Sequence, residues 1–359
     1  MATPRCALLF ASGLMLGVAA HVAAAAAEPP KISKPQPMPP AAENSQPLPP
    51  AVYDKGLEIG GGNVKAREED TRLSVQVKVN GRGPYRFVVD SGADTSAVSL
   101  QMAYDLELPL ASPAVLNSTT SRDLVDRVTV AELSLGPTTV RNIHVPALKA
   151  SDIGGDGLIG IDALVEQRLM MDFEKRLISI EDARVKPARL SPNDIEIVAR
   201  RQRGQLILTE VRASGVRLDA VIDTGSEVSI GNSALRDKLL RKHRGKFYTV
   251  EATGVTGVTM KLQMATIPEL QLGPVLFRDI PIAFADVPPF RLFGLADEPS
   301  LLLGTDLLSN FRRISLDFRA RKIRFQLRSC RTEGVAIRTS QTDFFSRLSS
   351  TGDADVCGR

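Results

Sequence analysis

The sequence predicts an all-β protein made of two duplicated β units with short helices, and three observations carry that prediction. An apolar run ending in an acid, a hydroxyl residue and glycine occurs twice, as Phe87-Val88-Val89-Asp90-Ser91-Gly92-Ala93-Asp94 and as Ala220-Val221-Ile222-Asp223-Thr224-Gly225-Ser226-Glu227. Later landmarks then recur in the same order: Leu135-Gly136-Pro137 with Leu272-Gly273-Pro274, Leu158-Ile159-Gly160 with Leu302-Leu303-Gly304, and Met171-Asp172-Phe173 with Leu316-Asp317-Phe318. The offset between equivalents grows from 133 at the acids (90 and 223) to 137 at the Gly-Pro breaks (136 and 273), 144 at the glycines (160 and 304) and 145 at the last acids (172 and 317). Preserved order with a drifting offset is what loop insertions between equivalent strands produce.

Composition narrows the function classes. The chain has 359 residues, 43% hydrophobic and 24% charged, which suits a globular protein with more than one core. A net charge of +4 with 5% aromatics and no Trp gives little support to nucleic-acid binding. There are 3 histidines: His21 near the N-terminus, His144 in an apolar strand-like run and His243 in a basic run. Chemistry that needs several His ligands, or a Ser-His-Asp relay, has few candidates, and no Cys/His cluster marks a metal site or calls for a cofactor.

Taken in order, residues 1–27 read as a secretory signal: Arg5, an apolar stretch, then small residues up to Ala27. Left uncleaved, the same stretch becomes an N-terminal membrane anchor, so export to the periplasm or the exterior is the reading either way. Residues 28–56 form a Pro/Ala-rich linker, read as an extended, mobile spacer. The first unit covers 57–190. In Leu73-Ser74-Val75-Gln76-Val77-Lys78-Val79 apolar and polar residues alternate, Asn80-Gly81 makes a hairpin turn, and the return strand delivers Asp90. Ser99 caps a short helix whose apolar face uses Leu100, Ala103, Tyr104 and Leu106. Residues 117–123 form a polar turn between strands.

The second unit, 191–328, repeats this plan. Strands at 205–211 and 216–222 flank Ser214-Gly215 and lead to Asp223, and Asn232 caps a helix through Leu235 and Leu239. Residues 251–261, with Gly254 and Gly257, read as strand, turn, strand, and 286–300 as an enlarged loop. In the tail, 329–359, Cys330 and Cys357 are the cysteines left once Cys6 departs with the leader. They are candidates for a disulfide in an exported protein, with two free thiols as the alternative.

On the paired Asp90-Ser91-Gly92 and Asp223-Thr224-Gly225 signatures, each followed by an apolar-apolar-glycine partner (Leu158-Ile159-Gly160 and Leu302-Leu303-Gly304), the chain resembles the retropepsin and pepsin clan of aspartic proteases over roughly residues 57–327. The resemblance implies a bilobal acid-protease fold of two β-barrel-like lobes with one cleft, both halves in one chain, so that a monomer suffices. It implies an aspartic endopeptidase acting on a protein or peptide substrate, with Asp90 and Asp223 as the catalytic pair and no cofactor. It further implies that Ser91, Gly92, Thr224 and Gly225 support the pair, that Asp94 and Glu227 contact substrate backbone, and that residues 117–123 and 252–259 are flaps. Ser226, after the second signature glycine, is expected to donate its hydroxyl to the dyad. The alternative is a catalytically silent peptide-binding protein of the same fold in the cell envelope, since a fold does not fix a function.

Overall fold

The computed structural model describes residues 30–40, 62–69, 72–135, 138–164, 167–184, 194–240, 247–328 and 335–336. The expected signal segment, most of the linker, the Gly136-Pro137 break and Cys330 and Cys357 lie outside the described residues. The chain runs β1 (Gln36–Pro37), β2 (Gly62–Glu69), β3 (Arg72–Val79), β4 (Arg82–Val89), β5 (Ala97–Ser99), α1 (Leu100–Asp105), β6 (Leu110–Asn117), β7 (Arg122–Leu135), β8 (Thr138–Leu148), α2 (Ala150–Ile153), β9 (Gly157–Ile159), β10 (Gln167–Asp172) and β11 (Leu177–Asp182). It continues with β12 (Asp194–Val198), β13 (Arg200–Gln202), β14 (Gln205–Ala213), β15 (Val216–Ile222), β16 (Ile230–Gly231), α3 (Ser233–Leu240), β17 (Tyr248–Thr253), β18 (Thr259–Leu272), β19 (Val275–Phe284), α4 (Pro288–Leu292), β20 (Ser300–Leu303), α5 (Thr305–Leu308), β21 (Arg313–Asp317), β22 (Lys322–Gln326) and β23 (Val335–Ala336).

Each lobe closes on itself. In the first, β3 pairs with β4, then β9, β5, β8 and β7 follow, and β7 returns to β3. In the second, β14, β15, β20, β16, β19 and β18 make the same circuit with the same parallel and antiparallel steps. Closure removes exposed sheet edges and leaves an interior for alternate side chains. Val75, Val77, Phe87 and Val89 fill the first ring, and Leu208, Val211, Ala220 and Ile222 the second, all buried. At about 1.5–3 kcal/mol for each fully buried large aliphatic or Phe side chain, these rows hold the acid-bearing strands in place.

The lobes meet in a third, antiparallel sheet with strand order β2-β11-β10-β21-β22-β12. At its centre Arg168 pairs in register with Asp317 and Asp172 with Arg313. Both register pairs are also ion pairs: Arg168 Nη2 lies 3.0 Å from Asp317 Oδ2, and Arg313 Nη2 lies 2.8 Å from Asp172 Oδ2. Since 313 and 317 are the 145-residue equivalents of 168 and 172, the two contacts are one contact seen twice, as twofold pairing requires.

Local expectations hold at the turns and caps. Asn80 and Gly81 take φ of 51° and 75°, the left-handed pair a two-residue hairpin needs. Ser99 Oγ accepts from Met102 N at 3.1 Å and Asn232 Oδ1 from Leu235 N at 2.9 Å, so both helices carry their expected caps. Three readings change. The buried residues of α1 are Met102 and Ala103, while Tyr104 is 39% exposed. The 286–300 connection contains helix α4, whose Phe290 packs with Phe293 and Leu295 in the second lobe. Residues 30–40 of the linker are not a free spacer: β1 pairs antiparallel with β7, Gln36 opposite Leu124 and Pro37 opposite Asp123. There Met38 N donates to Arg122 O at 2.9 Å and Ser33 N to Asp126 Oδ2 at 2.7 Å. Strand pairing needs only backbone groups, so a proline-rich sequence can supply it at an edge. Among the described residues no helix is long and apolar enough to cross a membrane.

Candidate active site

Both acids leave the end of a buried strand beside a second, parallel one. In the first lobe Val89 of β4 lies opposite Ile159 of β9, and Asp90 N donates to Ile159 O at 2.9 Å. In the second, Ile222 of β15 lies opposite Leu303 of β20, and Asp223 N donates to Leu303 O at 3.0 Å. The apolar-apolar-glycine motifs thus flank the acids, and their job is to present the two turns to each other.

The turns interlock. Ser91 N donates to Thr224 Oγ1 at 2.9 Å, and Thr224 N to Ser91 Oγ at 3.3 Å. Each hydroxyl then donates onward across the seam, Ser91 Oγ to Ile222 O and Thr224 Oγ1 to Val89 O, both at 2.9 Å. Four buried groups are satisfied reciprocally, which fixes the spacing of the strands that carry the acids.

The carboxyls face each other so closely that the glycines are steric necessities. A Cβ on Gly92 would fall 2.5 Å from Asp223 Oδ1, and one on Gly225 would strike the Asp90 carboxyl carbon. Asp90 Oδ1 accepts from Gly92 N (2.7 Å) and Ala93 N (3.0 Å); Asp223 Oδ1 accepts from Gly225 N and Ser226 N, both at 3.1 Å. Burial pushes Asp90 above the usual carboxylate value, against the pull of those N–H groups and of Arg72. Burial, and then the charge of Asp90, push Asp223 up to about 8. Carboxyls this close disfavour ionising together, which suits a pair that titrates as a unit.

Sequence reasoning placed Asp90, Asp223, Ser91, Gly92, Thr224 and Gly225 in one constellation, and the structure brings all six together. It puts Asp94 and Glu227 at the edges of the same seam, each against an arginine: Arg203 Nε at 4.0 Å from Asp94 Oδ2, and Arg72 Nε at 2.9 Å from Glu227 Oε1. Ser226 departs from expectation. Its hydroxyl donates to Val228 O at 2.8 Å, a bond within its own turn, and only its backbone N–H reaches the dyad.

The residue reading missed the support behind the turns. Ser96 Oγ accepts from Gly160 N (3.1 Å) and donates to Asp162 Oδ1 (2.7 Å); Ser229 Oγ accepts from Gly304 N (3.0 Å) and donates to Asp306 Oδ1 (2.6 Å). Burial raises both acids, Asp306 to about 6. The signal was present in the sequence, because Ser96 and Ser229 share the 133-residue offset of the acid-bearing turns.

The flaps meet each other. Ser121 Oγ, beside the tip between β6 and β7, lies 2.6 Å from Thr256 Oγ1 at the tip between β17 and β18. Val255 of the second flap packs against a first-lobe cluster of Ala97, Val125, Leu148, Ile153 and Leu158. Among the described residues no group of three or more His, Cys, Asp or Glu side chains is placed to hold a metal ion.

The family model described as aspartyl protease matches the chain twice, over residues 75–163 and 209–307. No curated protein matches it.

Proposed function

The chain belongs to the aspartyl protease family, and from that premise we propose that it is an aspartic endopeptidase whose water is activated between Asp90 and Asp223. The observation that carries the proposal is the facing pair of acids, Asp223 buried and Asp90 half-buried, whose turns interlock and whose proton affinity is raised. In the cycle, the ionised carboxyl takes a proton from water as the oxygen bonds to the scissile carbon. The protonated carboxyl gives its proton to the carbonyl oxygen, forming a tetrahedral diol. The first acid then protonates the amide nitrogen and the second recovers a proton from the diol as the C–N bond breaks. An acid and an amine leave, and the dyad again holds one proton. Ser91 and Thr224 lock together the turns that carry the carboxyls, so the charges are held in place before substrate arrives.

Substrate enters as an extended peptide whose backbone Asp94 and Glu227 contact, and one chain suffices because both acids are its own. Export to the periplasm or exterior rests on the reading of residues 1–27, and its test is the mature N-terminus by mass spectrometry. The activity is tested by incubating the purified chain with a mixed peptide library. Cleavage that falls at least roughly 10²-fold in Asp90→Asn and in Asp223→Asn supports the proposal. Binding without cleavage favours the silent peptide-binding alternative.

A further inference from the structure

The two halves of the site are not equal, and the inequality sits one strand away from the acids. Ser74 of β3 pairs with Val88 of β4, so the register carried two residues further sets Arg72 opposite Asp90. Ile207 of β14 pairs with Val221 of β15, so the same continuation sets Gln205 opposite Asp223. Arg72 and Gln205 are thus equivalents, at the 133-residue offset of the acids themselves. One is a cation and the other a neutral amide.

Each reaches across the seam. Arg72 pairs with Glu227, four residues past Asp223, at 2.9 Å. Gln205, with no exposed surface, donates from Nε2 to Gly92 O at 3.0 Å and to Asp94 Oδ1 at 3.3 Å. Both of those neighbours are acceptors, which fixes the amide with its NH2 group toward the turn. We propose that Arg72 and Gln205 are positioning residues that break the twofold equivalence of the acids, so that Asp90 is the carboxylate that takes the proton from water and Asp223 the acid that carries one.

The charges facing the site agree with this assignment. Asp90 faces Asp223 and the Arg72 cation; Asp223 faces Asp90, and the residue in register with it on β14 is the neutral Gln205. Close by, Arg203 and Asp162 act on Asp94, and Glu227 pairs with Arg72. A cation beside one member of a pair favours that member's ionised form. Gln205 in turn fixes the Gly92 carbonyl, and Gly92 N is the shorter of the two donors to Asp90 Oδ1.

This inference rests on the dyad reading above, so its first readout needs no substrate. In the full chain labelled with carbon-13 at aspartate carboxyls, Asp90 titrates first and Asp223 last. Arg72→Gln makes the two positions alike and moves the Asp90 titration, and with it the acidic limb of kcat/KM, upward by about half a unit or more. Arg72→Lys keeps the charge and leaves that limb near the wild-type position. Gln205→Leu leaves the order intact but lowers kcat roughly tenfold with KM within about twofold, because the first turn loses its brace. The assignment is overturned if Asp223 ionises first, or if folded Arg72→Gln and wild type titrate alike. If Arg72→Gln does not fold, the order in wild type and in Arg72→Lys decides. Absence of peptide cleavage by wild type removes the protease reading, and the titration order then decides the assignment by itself.

Discussion

The two lobes share a plan but have diverged unevenly. At the axis they are near copies: the interlocked Ser91 and Thr224, the Ser96–Asp162 and Ser229–Asp306 supports, and the reciprocal Arg168–Asp317 and Arg313–Asp172 pairs. Away from it they differ. The first flap carries β1 along β7, and the helix-bearing connection between β19 and β20 (285–299) is longer than its equivalent between β8 and β9 (149–156), where α2 lies. Groups that must meet an equivalent across the seam are constrained from both sides, whereas a flap edge or a connection answers only to its own lobe.

The most severe way to break the comparison is at its tightest contact. Gly225→Ala places a methyl group into the Asp90 carboxyl, so the chain is expected to lose essentially all cleavage of a peptide the wild type cuts, even where circular dichroism shows it folded. Substantial activity in that variant would show that the carboxyls stand farther apart than described.

Next in size is the central sheet. Arg168→Met strands the buried Asp317 and is expected to destabilise by about 3–5 kcal/mol in urea unfolding, while Arg168→Met with Asp317→Leu recovers most of that loss. Equal losses for single and double variants would mean the pair does not act as a unit. Smaller again is the turn interlock: Thr224→Val is expected to lose about 1–3 kcal/mol, and more than Ser91→Ala, because Thr224 Oγ1 accepts at 2.9 Å where Ser91 Oγ accepts at 3.3 Å.

The acids also set a slope against pH. Asp223 and Asp306 bind protons more tightly folded than unfolded, so the folded state holds extra protons between about pH 4 and their raised values of about 8 and about 6. Their contribution is full below pH 4 and is lost as pH rises through that window. Melting scans are expected to show stability falling over it, with a shallower fall in Asp306→Asn below about pH 6. An unchanged slope would remove Asp306 from the account. The smallest effect belongs to β1: deleting residues 1–40 is expected to cost about 1–2 kcal/mol at most and to raise hydrogen exchange in β7 near Leu124, leaving β18 untouched.

Much of this was legible in the chain because the determinants are local and doubled. Asn80-Gly81 needs two left-handed residues, Ser99 and Asn232 need only a nearby N–H, and the acid turns are written twice. What was hidden depends on partners far away in sequence. The pairing of Gln36–Pro37 leaves no alternation to read, and β6 carries Pro113 within a register shift between Ala111 and Ala114, which disguises it as loop. The Ser226 hydroxyl suits the dyad chemically, and the Val228 carbonyl two residues on takes it instead. The cross-seam partners of Asp94 and Glu227 exist only once two closed lobes face each other.

The central claim is that Asp90 and Asp223 share a proton at the seam. A neutron crystal structure grown from deuterated buffer near pH 6 tests it most directly. One deuteron held between two carboxyls in hydrogen-bonding range is the expected result. Two bare carboxylates, or acids separated by bulk solvent, would contradict it.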